Sequence, residues 1–159
     1  MKHDLSTYDR ALNMLSFRAR SVTELRNGLL RKGEPADQIE AAINRLIELR
    51  LLDDAAFARQ FVRMKILGPG ASRIRIAQEL RRKGVAGELA DRALEELKEE
   101  EGVDAAATIH RVAEKKWKSL SKLDGFTRRR RLYGFLARRG FNPDEIRAAM
   151  NALGETISG

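Results

Sequence analysis

The chain has 159 residues, a net charge of +8 and a sequence pI near 10.2. The absence of cysteine excludes disulfides, thiolate catalysis and cysteine-based zinc sites. No apolar run approaches the roughly 20 residues of a membrane span and no apolar signal core stands at the N-terminus, so a cytoplasmic protein with no membrane partner is expected.

Three prolines and few aromatic or β-branched runs favour an all-α fold. Ser6-x-x-Asp9 has the form of a helix start, with Leu12 and Leu15 as the first apolar set. Ser21-x-x-Glu24 is a fuller capping box, and its helix ends at Gly33. Pro35 is placed for the first turn of a third helix, which carries Ile39, Ile43, Leu46 and Ile47 on one face. Asp53 caps a fourth helix with Phe57, Ala58 and Phe61 inward, and Gly68-Pro69-Gly70 stops it. Ser72 caps a fifth helix ending at Gly84, and a sixth runs to about Glu101 before Gly102. A longer helix from near Val103 carries Ile109, Val112, Ala113 and Trp117. After Asp124-Gly125, a helix from about Thr127 ends at Gly140. Asn142, Pro143 and Glu145 supply the N-cap, first-turn proline and capping acid of the last helix.

One pattern recurs through these elements. Leu-x-basic-basic-Gly is written at Leu29–Gly33, Leu80–Gly84 and Leu136–Gly140, with glycines 51 and 56 residues apart. Leu25, Ile76 and Leu132 stand eight residues before the glycine. Ile43, Leu94 and Met150 stand ten after it, and Leu46, Leu97 and Leu153 thirteen after it. A period of this length describes one helical unit used three times. The expected architecture is three tandem three-helix repeats in an elongated, curved array, with units at 1–52, 53–102 and 103–159. Each repeat glycine is expected in a left-handed conformation, where alanine costs about 1 kcal/mol.

The positive charge is segregated. The three units carry net charges of +2, 0 and +6. Within the neutral unit, Arg59 to Lys83 holds eight bases and one acid, while Glu95, Glu96, Glu99, Glu100 and Glu101 follow. Segregated charge points to a polyanionic partner; a solvated helix face is the alternative. Arg31 and Lys32 also favour the negative end of their helix dipole, a structural account that stands beside the binding one. Arg128, Arg129, Arg130 and Arg131 are different: they crowd the first turns of their helix, against the dipole and one another. Trp117 lies among Lys115, Lys116 and Lys118, a setting for base stacking, yet it continues an apolar stripe that favours packing. His3 and His110 suggest no metal pair. Gly28 to Gly33 mimics a phosphate loop, but Glu34 stands where lysine is required. No catalytic set, cofactor fingerprint or metal site emerges, and a non-enzyme is expected.

The repeated Leu-x-basic-basic-Gly blocks, Leu52-Asp53-Asp54-x-x-Phe57-Ala58, Gly68-x-Gly70-x-x-Arg73-Ile74 and Phe135–Phe141 together resemble the RecX family over essentially the whole chain. The resemblance implies a monomeric regulator of the recombinase RecA in DNA repair, recombination and the SOS response. It implies a curved module lodged in the groove of the RecA–DNA filament, inhibiting strand exchange and its coupled ATP hydrolysis. Candidate contacts to the filament, or to single-stranded DNA without sequence preference, are Arg31, Lys32, Arg73, Arg75, Arg81, Arg82, Lys83, Lys115, Lys116, Lys118, Arg128 to Arg131, Arg138 and Arg139. Two alternatives remain at this point. One is a general DNA-binding protein with helix-turn-helix-like units; the other is a scaffold for an acidic partner that binds no DNA.

Overall fold

The computed structural model describes residues 4–157; His3 lies outside the described residues. Among them are nine helices and no strand. They are α1 (Thr7–Phe17), α2 (Val22–Arg31), α3 (Ala36–Glu48), α4 (Asp54–Leu67), α5 (Arg73–Arg82), α6 (Gly87–Glu101), α7 (Ala105–Ser119), α8 (Gly125–Arg138) and α9 (Pro143–Ile157). Every extensive helix–helix contact lies within one of the triplets α1–α3, α4–α6 and α7–α9. The fold is therefore all-α, a tandem series of three-helix repeats.

The starts are set by local chemistry. Ser6, Ser21, Asp53, Ser72, Asp104 and Asp124 each accept a backbone N–H of their helix's first turn. Ser21 and Glu24 form a reciprocal capping box. So do Asn142 and Glu145, at 2.9 and 2.8 Å. Such caps satisfy N–H groups that have no carbonyl inside the helix, each contributing about 1 kcal/mol. Three starts differ from the sequence reading. Helix α7 begins at Ala105, two residues after Val103. Pro35 is itself the N-cap, with α3 beginning at Ala36, and α8 begins at Gly125, two residues ahead of Thr127.

Each triplet buries its own core. The first encloses Ala11, Leu25, Leu29, Ile39, Ile43 and Leu46. In the second, Phe57, Phe61, Val62, Ile76, Leu80 and Leu94 interlock. The third closes over Ile109, Ala113, Leu132, Leu136, Phe141 and Ile146. The leucine opening each Leu-x-basic-basic-Gly block is fully buried, as are Leu25, Ile76 and Leu132 one helical face earlier. Truncating any of them to alanine costs about 2–5 kcal/mol. Ile47 is a correction: it is 44% exposed. The buried stripe of α3 is Ile39, Ala42, Ile43 and Leu46, and Ile47 lies a further 100° around the helix, past the neighbours' cover.

The repeat motif forms the joints between units. Lys83, the C-cap of α5, offers its carbonyl to the Ser21 hydroxyl at the start of α2, at 2.5 Å. Arg139, the C-cap of α8, offers its carbonyl to the Ser72 N–H at the start of α5, at 3.1 Å. The C-terminus of each later middle helix thus meets the N-terminus of the preceding one, and α8, α5 and α2 form a series joined end to end. Further bonds secure each joint. Val22 N–H donates to Asp54 at 2.8 Å across the first, and Arg111 donates to the Ile66 carbonyl at 2.6 Å across the second.

The three repeat glycines are all left-handed, with φ of 82°, 76° and 92° at Gly33, Gly84 and Gly140. Their surroundings differ, which corrects the expectation that alanine costs the same at each. A Cβ at Gly33 meets nothing within 4 Å. At Gly84 it overlaps Thr23 Oγ1 and Cβ and lies 2.7 Å from Thr23 Cγ2. At Gly140 it lies 2.5 Å from Ser72 Oγ and 2.7 Å from Arg75 Cβ. The first glycine is needed only for its turn; the other two also let one unit approach the next.

Candidate nucleic-acid interface

The candidate cations divide by what they touch. Arg73 pairs with Asp91 and Glu95 of α6, both at 3.3 Å, and Arg75 pairs with Glu79 at 3.5 Å. Lys118 pairs with Glu114 one turn earlier, at 3.0 Å. Lys83 reaches Glu24 across the first joint at 3.5 Å and lies over the Phe61 ring. These four are at least partly neutralised. The Arg73 pairing also explains why the middle unit is both acid-rich and base-rich: α6 carboxylates balance bases of α5.

A second group is held without being neutralised. The Arg128 guanidinium stacks on Trp117 at 3.7 Å and donates twice to the Trp117 carbonyl, at 3.0 and 2.6 Å. Arg139 and Lys116 each lie 4.7 Å from the centroid of Phe135. Arg139 also donates to the Pro69 carbonyl at 2.9 Å. Carbonyls and aromatic faces fix these cations while leaving their full charge for an outside anion.

The remaining candidates project outward. Arg31, Lys32, Arg81, Arg82, Lys115, Arg129, Arg130, Arg131 and Arg138 are exposed, with no carboxylate partner among the described residues. The motif therefore gives each middle helix exposed positive charge at the same place: Arg31 and Lys32, then Arg81 and Arg82, then Arg138. Its final basic residue is exposed in the first unit only; in the other two it secures a joint.

The arginine run resolves asymmetrically. Arg128 turns inward onto Trp117, while Arg129, Arg130 and Arg131 stay exposed. Their helix starts on Asp124, whose carboxyl accepts the Thr127 N–H at 2.9 Å. Backbone hydrogen bonding from Thr127 holds the Asp124 carboxyl below its ordinary value, so a negative charge stands at the helix start ahead of the four cations. Trp117 itself packs against the third core, and Arg128 covers its ring. Packing, not base stacking, is its observed role.

Sequence reasoning missed Arg111, Phe135 as a cation platform, and the approach of Arg18 and Arg20 to the candidate Arg31. Arg111 was visible at helical spacing, one turn before Lys115. Arg20 donates to the Met14 carbonyl at 3.2 Å. Burial, with the nearby charges of Arg18 and Arg31, pushes its guanidinium below its ordinary value. That proximity depends on how α1 and α2 pack and has no signature in spacing. Phe17 and Phe126 are 80% and 77% exposed, so two basic segments carry exposed aromatics.

The match to known proteins covers all three units. Residues 8–46, 53–94 and 103–150 match the family models for the first, second and third three-helix domains of RecX. The protein named regulatory protein RecX in Pelodictyon phaeoclathratiforme is 38% identical over 143 residues, covering 90% of this chain and 86% of that one. Its counterpart in Prosthecochloris aestuarii is 37% identical over 145 residues, covering 91% of each. The crystal structure of RecX from Lactobacillus salivarius superposes with a TM-score of 0.72 at 26% identity, covering 93% of this chain and 94% of that one.

Proposed function

The chain belongs to the RecX family, and on that premise we propose that it binds the RecA–DNA filament and inhibits recombination and ATP hydrolysis there. The observation that carries the reading is the recurrence of exposed, carboxylate-free cations at one position of each middle helix, in a series of helices joined end to end. A helix of ten residues is about 15 Å long, so the cations recur at intervals of a helix length plus a joint. A periodic row of this kind suits a partner that is itself periodic and anionic, as a filament on a phosphate backbone is. Phosphate contacts position a protein without reading sequence, consistent with a row built from one repeated motif.

No step of this action needs bond chemistry. The protein acts by occupying a surface, and inhibition follows when the bound module resists the rearrangements that strand exchange requires. The test is cosedimentation with RecA filaments on single-stranded DNA, with bare DNA in parallel, together with the filament's ATPase rate. Filament binding with slowed hydrolysis at stoichiometric dose is expected. Unchanged hydrolysis with no cosedimentation overturns the proposal.

A further inference from the structure

The second joint contains a cleft that lies outside the row of exposed middle-helix cations. A cavity of about 220 Å³ opens between the Gly68-Pro69 corner after α4, the exposed side of α7 and the end of α8. Arg111, Lys115, Lys116 and Arg139 line it, with Ser119 and Phe135, and no carboxylate does. Three of the four cations are pinned by neutral groups. Arg111 is held by the Ile66 carbonyl, Arg139 by the Pro69 carbonyl and the Phe135 ring, and Lys116 by that same ring. Elsewhere in the same units, Arg73, Arg75 and Lys118 have carboxylates to balance them. Here charge is concentrated, oriented and left unbalanced.

We propose that this cleft is a binding site for a phosphate-bearing anion, of the size of a diphosphate or two linked phosphodiester groups. The donor set points to phosphate. Two guanidinium forks match the oxygens of a phosphoryl group in plane, and two lysines supply compact charge to the oxygens left over. Four cations around one cavity repel one another, and a multiply charged anion relieves that repulsion where a single carboxylate leaves most of it. The volume falls below the roughly 300–1,000 Å³ of pockets that enclose drug-sized ligands. It therefore admits the phosphates and leaves any sugar or base outside. Because the Gly68-Pro69 corner belongs to the second unit and α7 and α8 to the third, an anion in the cleft also ties the two units together.

Strand phosphates and free nucleotide phosphates offer the same chemistry, so the probe is inorganic pyrophosphate. It is titrated calorimetrically into the full-length protein at low ionic strength. The cleft variant is Lys115→Ala with Lys116→Ala. The control is Lys122→Ala with Arg147→Ala, which removes two charges from the third unit outside the cleft. Far-ultraviolet circular dichroism melts establish that both variants fold. Saturable binding of one pyrophosphate is expected, weakened tenfold or more in the cleft variant and less than twofold in the control. Absence of saturable binding, or equal weakening in both variants, overturns the site. Displacement of pyrophosphate by a short oligothymidylate assigns the site to strand phosphates, and displacement by ATP assigns it to free nucleotides; either supports the cleft. Filament cosedimentation of the unaltered protein, beside its pyrophosphate titration, separates the two readings. Filament binding without pyrophosphate binding overturns the cleft alone, and pyrophosphate binding without filament binding overturns the filament reading alone.

Discussion

Alanine at Gly84 is expected to be far more damaging than alanine at Gly33, although the two stand at equivalent points of the repeat. Both residues are left-handed, and a Cβ in that region costs about 1 kcal/mol at either place. At Gly33 the cost stops there, since the added carbon meets open space. At Gly84 it overlaps Thr23, a β-branched side chain anchored in the first turn of α2. Overpacking of this kind costs about 1–3 kcal/mol, which brings the total to about 2–4 kcal/mol. The strain falls on the joint that holds the Ser21–Lys83 hydrogen bond, so it weakens the coupling between the first two units. In a linear array, cooperativity depends on such interfaces. Urea unfolding followed by circular dichroism should therefore show a lower midpoint with an unchanged slope for Gly33→Ala. For Gly84→Ala it should show a lower midpoint with a shallower or split transition. Combining Gly84→Ala with Thr23→Gly should recover about 1 kcal/mol or more relative to additivity. Equal losses and equal slopes for both single variants would refute the assignment of the motif to the joint.

Other expectations follow from the same contacts. Burial acts to raise the Glu24 carboxyl, but hydrogen bonds from Arg18 and the Ser21 N–H and the charge of Lys83 outweigh it and hold it below its ordinary value of 4.5. A depressed carboxyl stabilises the fold above its unfolded value and loses that contribution as pH falls through the folded one. Stability should thus decline below about pH 4.5, and a melting-temperature series should be flatter in that window for Glu24→Gln. Replacing Arg129 and Arg130 together by alanine should preserve helicity, relieve some repulsion and weaken filament or DNA binding several-fold. Normal binding by the folded double variant moves the interface to another unit. Arg128→Ala should instead cost about 0.5–2 kcal/mol through the lost stacking on Trp117 and shift the emission of that single tryptophan. An unchanged melt and spectrum contradict the stacked geometry. Binding to bare single-stranded DNA should be sequence-tolerant and fall steeply with salt; flat affinity from low to physiological salt, measured by fluorescence anisotropy, refutes phosphate neutralisation.

The helices and most of their caps were legible because their causes are local. Ser21 and Glu24, or Asn142 and Glu145, stand three residues apart, and the glycines punctuate in place. The buried leucines were legible because helical spacing repeats them. The joints were not, since Ser21 meets Lys83 across 62 positions. Nothing in Lys32, Lys83 and Arg139, three basic residues before three glycines, tells that one is exposed and two secure neighbouring units. The arginine run shows the same limit at closer range: four identical residues divide into one stacked on tryptophan and three in solvent, and only packing of α7 on α8 decides which. The cleft cations failed for a related reason. Arg111, Lys115 and Lys116 share one helix, but Arg139 and the Gly68-Pro69 corner join them only through the tertiary fold.

The end-to-end series of middle helices poses a problem that any open-ended array must solve, which is where to stop. A head-to-tail contact does not close on itself, and repeated between copies it makes fibres. One terminus of the series is the start of α8, where the serine found at the starts of α2 and α5 gives way to Asp124. At the first joint the Ser21 hydroxyl donates to the Lys83 carbonyl, whereas at the second the Ser72 backbone N–H donates to the Arg139 carbonyl; an ionised carboxylate in the same place has no side-chain hydrogen to give and repels the carbonyl's negative end. Just beyond it, Arg129, Arg130 and Arg131 face the Arg31 and Lys32 that a second copy would bring. Asp124 thus gives this end of the series a charge that neither joined start carries, and the flank of Arg129, Arg130 and Arg131 stays open to a partner of opposite sign.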